Sequence, residues 1–135
     1  MKGIIIVRLA AKLIERMLNL AVDEAAIIDR NFKHISFVTN AQGHILSVGT
    51  NRSKTHPIMV KLGYPNVELH SEVDAYSKLS FNDKKKSLFL FNFRLNKHNV
   101  LRISKPCKYC LPWCIEAFKE IYYTTNDGIE YFTTT

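Results

Sequence analysis

The sequence predicts an α/β sandwich built on a mixed sheet of four or five strands. Three observations carry this. Helix-like and strand-like segments interleave along the chain instead of separating into blocks. Apolar residues recur at helical spacing in some stretches and in short continuous runs in others. The chain has 135 residues, 47% hydrophobic and 23% charged, which suits one soluble domain over 1–135 with a core of its own. No internal repeat, linker or low-complexity tract divides it.

The elements follow in order. A first helix is expected from about Val7 to Asp29, with Ile14, Met17, Leu18, Ala21, Val22, Ala25 and Ile28 forming its apolar stripe. Two short runs, Ile35–Thr39 and Ile45–Gly49, flank "NAQGH" and read as a hairpin, with Gly43 able to take positive φ in the turn. "TNRSKTHPIMVKLGYPNVE" reads as a long loop, of a length often reserved for function. A second helix, Leu69–Ser80, places Val73, Tyr76 and Leu79 at core spacing. "NDKKK" is a polar break, and "SLFLFNFRL" is the most strand-like run in the chain. "NKHN" then turns into a short apolar run, Val100–Ile103. A third helix is expected from Cys107 to about Glu120, with Ile115, Phe118 and Ile121 apolar. "IYYTT" is a strand, "NDG" a turn and "IEYFTTT" a last strand.

The formal net charge of +7 and a pI near 9.4 favour phosphate-bearing partners, nucleotides or nucleic acid, without choosing between them. The three cysteines all fall within Cys107–Cys114. An odd, clustered set is no disulfide framework; it fits metal binding in a reducing, cytoplasmic compartment. The N-terminal apolar run is interrupted by Arg8 and Lys12, and no small-residue cleavage site follows, so neither a signal peptide nor a membrane span is expected.

The second helix opens with His70-Ser71-Glu72, two chemistry-bearing side chains too close in sequence to share a helix face. Some 35 residues on stands Pro106-Cys107-Lys108-Tyr109-Cys110. A hydrolytic zinc site needs three protein ligands and one open position for water. His70, Cys107 and Cys110 are candidates for the three. Two cysteines at Cys-x-x-Cys spacing where a helix starts can turn both sulfurs to one ion, helix amides favour thiolate charge, and Pro106 suits such a start. Glu72, two residues from a ligand histidine, can stand beside the metal unbound and move protons to and from its water. Cys114 complicates this reading. It shares a helix face with Cys110 and could close the site as a fourth ligand, or simply be a buried thiol.

Together these motifs resemble the zinc-dependent cytidine and deoxycytidylate deaminases, whose superfamily also holds tRNA adenosine and single-strand nucleic-acid deaminases; the paired H-x-E and P-C-x-x-C layout is theirs. The resemblance covers most of the chain. It implies a three-layer α/β/α fold of the cytidine-deaminase type, a Zn2+ cofactor, and water attack on the ring carbon bearing an exocyclic amine. It implies that Asn51, in "VGTNR", matches the asparagine holding the substrate's sugar, that the backbone N–H of Ser71 contacts the base, and that the protein is a homo-oligomer. His56, in "KTHP", is a further candidate for sugar or phosphate. The expected activity is hydrolytic deamination of a cytidine- or deoxycytidylate-type nucleoside or nucleotide. A base within nucleic acid is the alternative substrate, and a non-catalytic zinc-binding protein the alternative class. "GTNRSKTHP" does not match the glycine-rich effector loop of many deoxycytidylate deaminases, so regulation by triphosphates is not expected.

Overall fold

The computed structural model describes residues 2–28, 31–52, 57–63 and 69–134, with residues 2–10 and Ile58 described by backbone alone. Its elements are α1 (Lys2–Ala25), β1 (Phe32–Thr39), β2 (Ile45–Thr50), α2 (Pro57–Lys61), α3 (Ser71–Ser77), α4 (Phe81–Lys84), β3 (Phe89–Asn96), α5 (Leu111–Ala117), β4 (Glu120–Thr124) and β5 (Ile129–Thr133). The five strands form one sheet in the order β2-β1-β3-β4-β5. β3 and β4 run parallel and the other neighbours antiparallel, which makes the sheet mixed, as the sequence predicts.

Successive residues of a strand point to opposite faces, and this sorts the core into two halves. On one face Ile35, Phe37, Phe91, Phe93 and Leu95 pack against Met17, Ala21 and Ala25 of α1. Phe37 and Phe93 meet edge to face with centroids 5.5 Å apart, and Phe91 stacks on Tyr122 at 4.3 Å. On the other face Val38, Leu90 and Ile121 lie under Val73 and Ala75 of α3 and Cys114 of α5. The result is three layers. Each large apolar side chain removed from water contributes roughly 1.5–3 kcal/mol, and the central strand β3 and its neighbour β1 bury apolar side chains on both faces.

Several boundaries differ from the sequence expectation, each for a local reason. α1 ends at Ala25 because the next amides bond only three residues back, Ile27 to Glu24 and Ile28 to Ala25. α3 is shorter at both ends. His70 is extended (φ −77, ψ 151), and Ser80 caps the separate α4 by accepting the Asp83 N–H at 3.1 Å. "NDKKK" therefore carries the end of a short helix. α5 begins only at Leu111, with Pro112 in its first turn, so Cys107–Cys110 form the turn ahead of it and Pro106 is not its first residue. Val100–Ile103 contributes one isolated bridge, Leu95 to Leu101, and no strand. The long loop contains α2. Gly43 takes φ +83 in the hairpin turn, as expected. Among the described residues no helix is long and apolar enough to cross a membrane.

Candidate active site

The position of α3 is set by a close approach to β2. A Cβ at Gly49 would overlap the backbone of Ser71 and Ala75, so only glycine lets the helix lie this near the sheet. Polar contacts hold it there. Buried Asp74 accepts the Thr50 N–H at 2.9 Å and faces Lys78 Nζ at 3.1 Å and Arg52 Nε at 3.5 Å. Ser47 Oγ donates to the carbonyl of Ala75 at 2.7 Å. Arg52 and Leu69 exchange backbone hydrogen bonds of 3.0 and 2.8 Å, fixing the residue just before His70.

Opposite, the crossover from β3 to β4 brings in the cysteines. The ligand atoms of His70, Cys107 and Cys110 all lie within 4.8 Å of one another, with His70 Nδ1 3.9 Å from Cys110 Sγ. Tetrahedral zinc with bonds of about 2.0–2.3 Å needs donor–donor separations of about 3.5–3.8 Å. One nitrogen and two sulfurs at this spacing fit that ion with little movement. A hydrogen bond with Cys107, burial and the nearby Glu72 charge all push the Cys110 thiol well up from its ordinary range. A metal that draws off its proton would reverse this. Cys114 is fully buried in the apolar half-core and stands outside the three-residue cluster.

Glu72, the second residue of α3, is buried at 5% exposure. Its Oε1 accepts a hydrogen bond from Asn92 Nδ2 at 2.9 Å, while Oε2 is buried with no hydrogen-bond partner among the described residues. Burial raises its carboxyl above the usual carboxylate range, and the neighbouring His70 only partly offsets this. An orphaned buried carboxylate oxygen is uncommon and expensive, and it suits a site that a bound group completes.

Both halves open on a cleft of about 490 Å³, walled by His70, Ser71, Glu72 and Cys107 at one end and by Phe32, His34, Asn51, Arg94, Ser104 and Lys105 beyond. Asn51 reaches this wall from the end of β2. Its Oδ1 accepts the His34 N–H at 3.0 Å, and its Nδ2 donates to the Phe32 carbonyl at 3.2 Å. The Ser71 side chain is buried and lies 2.7 Å from Ser36 Oγ. His56 lies outside the described residues.

The structure thus gathers His70, Glu72, Cys107, Cys110, Asn51 and Ser71 in one place. Sequence reasoning missed Ser36, Asn92, Ser104, His34 and Arg94. Ser36 and Asn92 pair across β1 and β3 and are both buried, a polar rung in an otherwise apolar sheet. The signal for them was a polar residue interrupting each apolar run. Trp113, an aromatic beside the cysteines, packs edge to face on Tyr76 and Phe118 and does not line the cleft.

No family model and no curated protein matches the sequence. Among solved structures the chain is similar to a cytidine deaminase from Mycobacterium leprae, with a TM-score of 0.55 and 16% sequence identity, over 84% of this chain and 88% of that chain. At this identity the likeness is one of fold, a mixed five-stranded sheet with helices on it.

Proposed function

We propose that this protein is a zinc-dependent hydrolytic deaminase acting on a cytidine- or deoxycytidylate-type nucleoside or nucleotide. The observation that carries this reading is the orphaned oxygen of Glu72 beside a three-donor His70, Cys107, Cys110 cluster, both on one cleft. The fold likeness to a protein named a cytidine deaminase supports a cytosine-type base. Zinc held by the three donors supplies Lewis acidity, which makes water a competent nucleophile near neutral pH.

The chain's own residues supply the rest. Burial raises the proton affinity of Glu72, which suits a group that takes a proton from the attacking water and keeps it until the amine leaves. Asn92 holds Oε1, so proton transfer falls to Oε2. Water adds to the ring carbon bearing the amine, the C–N bond breaks with its electron pair going to nitrogen, and Glu72 returns the proton as ammonia departs. Asn51, tied to β1 by one N–H and one lone pair, has a second of each for a sugar hydroxyl. The main-chain N–H of Ser71 faces the base.

The test is ammonia release across a panel of nucleosides, nucleotides and short oligonucleotides. Activity on a cytosine-bearing member, abolished in Glu72→Gln with zinc content retained, is the expected result. Undiminished release in that variant removes Glu72 from the role.

A further inference from the structure

Beyond the Glu72 end, the cleft carries a second chemistry. The site face of the sheet is built in rungs. Ser36 and Asn92 form the rung beneath Glu72, and His34 and Arg94 form the next, one side-chain repeat along, about 7 Å away. The β3–β4 ladder ends at Asn92 and Tyr123; past it, Thr124 Oγ1 accepts the Arg94 N–H at 3.2 Å and Ser104 Oγ donates to the Asn92 carbonyl at 2.7 Å. The sheet is therefore parted but pinned where Arg94 projects.

The Arg94 guanidinium lies over the Phe32 ring, 4.4 Å from its centroid, so its plane is held. Among the described residues it makes one long bond, Nη1 to the Ile103 carbonyl at 3.4 Å. Among the described residues its Nε, which is buried, has no hydrogen-bond partner and the guanidinium forms no ion pair. Lys105 lines the same cleft, its Nζ 5.7 and 6.0 Å from the rings of Phe132 and Tyr123. Among the described residues that line the cleft, Glu72 is the sole carboxylate. A fixed fork with an unused, buried donor is the recognition element for a planar or tetrahedral oxyanion.

Resting on the deaminase reading above, the geometry points to a phosphate subsite formed by Arg94 and Lys105, and so to a nucleoside 5′-monophosphate as the substrate class. A cleft of about 490 Å³ suits one small molecule better than a strand. Arg94 reads the phosphate monoester with Nε and a terminal nitrogen, Lys105 adds charge, and the base reaches the Glu72 end.

The experiment compares cytidine and deoxycytidine with their 5′-monophosphates, by ammonia release on the zinc-loaded protein. Calorimetric binding to zinc-loaded Glu72→Gln runs beside it. The monophosphate is expected to exceed its nucleoside by about 10- to 100-fold in kcat/KM, mostly through KM. Arg94→Ala collapses that ratio towards one, and exposed Lys105→Ala lowers it. Arg94→Lys, which keeps charge without the fork, retains part of it and controls for misfolding. A wild-type ratio near one, or a ratio that both alanine variants leave intact, overturns the subsite. So does a short single strand that outcompetes the mononucleotide with affinity falling steeply in salt, since the phosphate read is then a diester. The two readings fail separately. Tighter, Arg94-dependent binding of the monophosphate without ammonia from any substrate supports the subsite and removes the deaminase. Equal turnover of nucleoside and nucleotide does the reverse.

Discussion

Asn92 donates a side-chain hydrogen bond to Oε1 of Glu72 over 2.9 Å, joining the middle of β3 to the first turn of α3. The same amide group is held from behind. Its oxygen accepts from Ser36 Oγ at 2.6 Å, and its nitrogen also reaches the Ser104 carbonyl at 3.2 Å. Ser36 has a single hydroxyl proton, so while donating to Asn92 it accepts from Ser71, and the chain of bonds has one direction. All of these residues are buried. Such a network fixes one carboxylate oxygen and leaves the other without a hydrogen-bond partner among the described residues.

Asn92→Leu tests that arrangement with little change of volume. It strips the partner from Glu72 Oε1, the Ser36 hydroxyl and the Ser104 carbonyl at once. The expected loss of stability is about 2–4 kcal/mol, from buried polar groups left unpaired, one of them ionisable. Urea unfolding measures it. Ammonia release should fall by about 100-fold or more with zinc content unchanged; near-wild-type turnover would mean that Glu72 needs no positioning from the sheet.

Glu72→Gln should stabilise the metal-free protein at neutral pH. An ordinary glutamate titrates near 4.5, and burial raises the folded value above that. Below about pH 4 the carboxyl is protonated in both states and the two proteins should melt together. As pH rises through 4.5 the unfolded chain gives up its proton first, and wild-type stability is lost until the folded group ionises as well. Glutamine keeps an oxygen for Asn92 and carries no charge to bury. Melting curves of chelator-treated protein across this range should therefore separate in favour of the variant as pH rises. Curves that stay superposed up to about pH 7 would show that the carboxylate is solvated after all.

Gly49→Ala tests how α3 is placed. The added methyl meets main chain of Ser71 and Ala75, which cannot rotate aside as a side chain would. The helix must lift, at a cost of about 1–3 kcal/mol or more by overpacking, and its lift carries His70 and Glu72 away from the cysteines. Thermal melts should fall and zinc affinity should fall with them. Full zinc affinity in a destabilised variant would separate the cluster from the docking of α3.

How much of this could be read beforehand follows from where each piece of information resides. His70-Ser71-Glu72 and Cys107-Lys108-Tyr109-Cys110 are short-range patterns, visible in the chain because local spacing sets the relation of their side chains. The α1 stripe was equally legible, since Met17, Ala21 and Ala25 are buried as helical spacing requires. The far wall of the cleft was not. His34 and Arg94 are 60 residues apart and meet only through the β1–β3 register, which no local pattern states. Ile35–Thr39 and "SLFLFNFRL" read as strands, and β1 (Phe32–Thr39) and β3 (Phe89–Asn96) run through them; their polar members His34 and Arg94 are the exception that lines the cleft. The late start of α5 was hidden for a different reason. Leu111's N–H already bonds to Cys107's carbonyl at 2.8 Å, so a helix-like bond precedes the regular helix and the cysteine turn resembles its first turn.

Three cysteines lie close enough in sequence to compete as ligands, and the proposed zinc would need only two of them. Cys114 lies one helical turn past Cys110, and its N–H bonds to the Cys110 carbonyl at 2.9 Å. That turn carries it inward, to full burial among Val38, Leu90 and Phe118, and burial pushes its thiol well up from the ordinary range. It belongs to the packing beneath the site and not to the three donors around it. Cys107→Ser and Cys110→Ser should therefore each lose bound zinc, while Cys114→Ala should keep one zinc per chain and lose only about 1 kcal/mol of stability to the small cavity. Chelation should lower the melting temperature of wild type and Cys114→Ala alike, with recovery on adding zinc, because a ligand bound to the folded state alone stabilises it by mass action. Zinc content by elemental analysis decides the matter. If Cys114→Ala lost the metal, four protein ligands would close the coordination sphere, no position would remain for water, and the hydrolytic reading would fall with it.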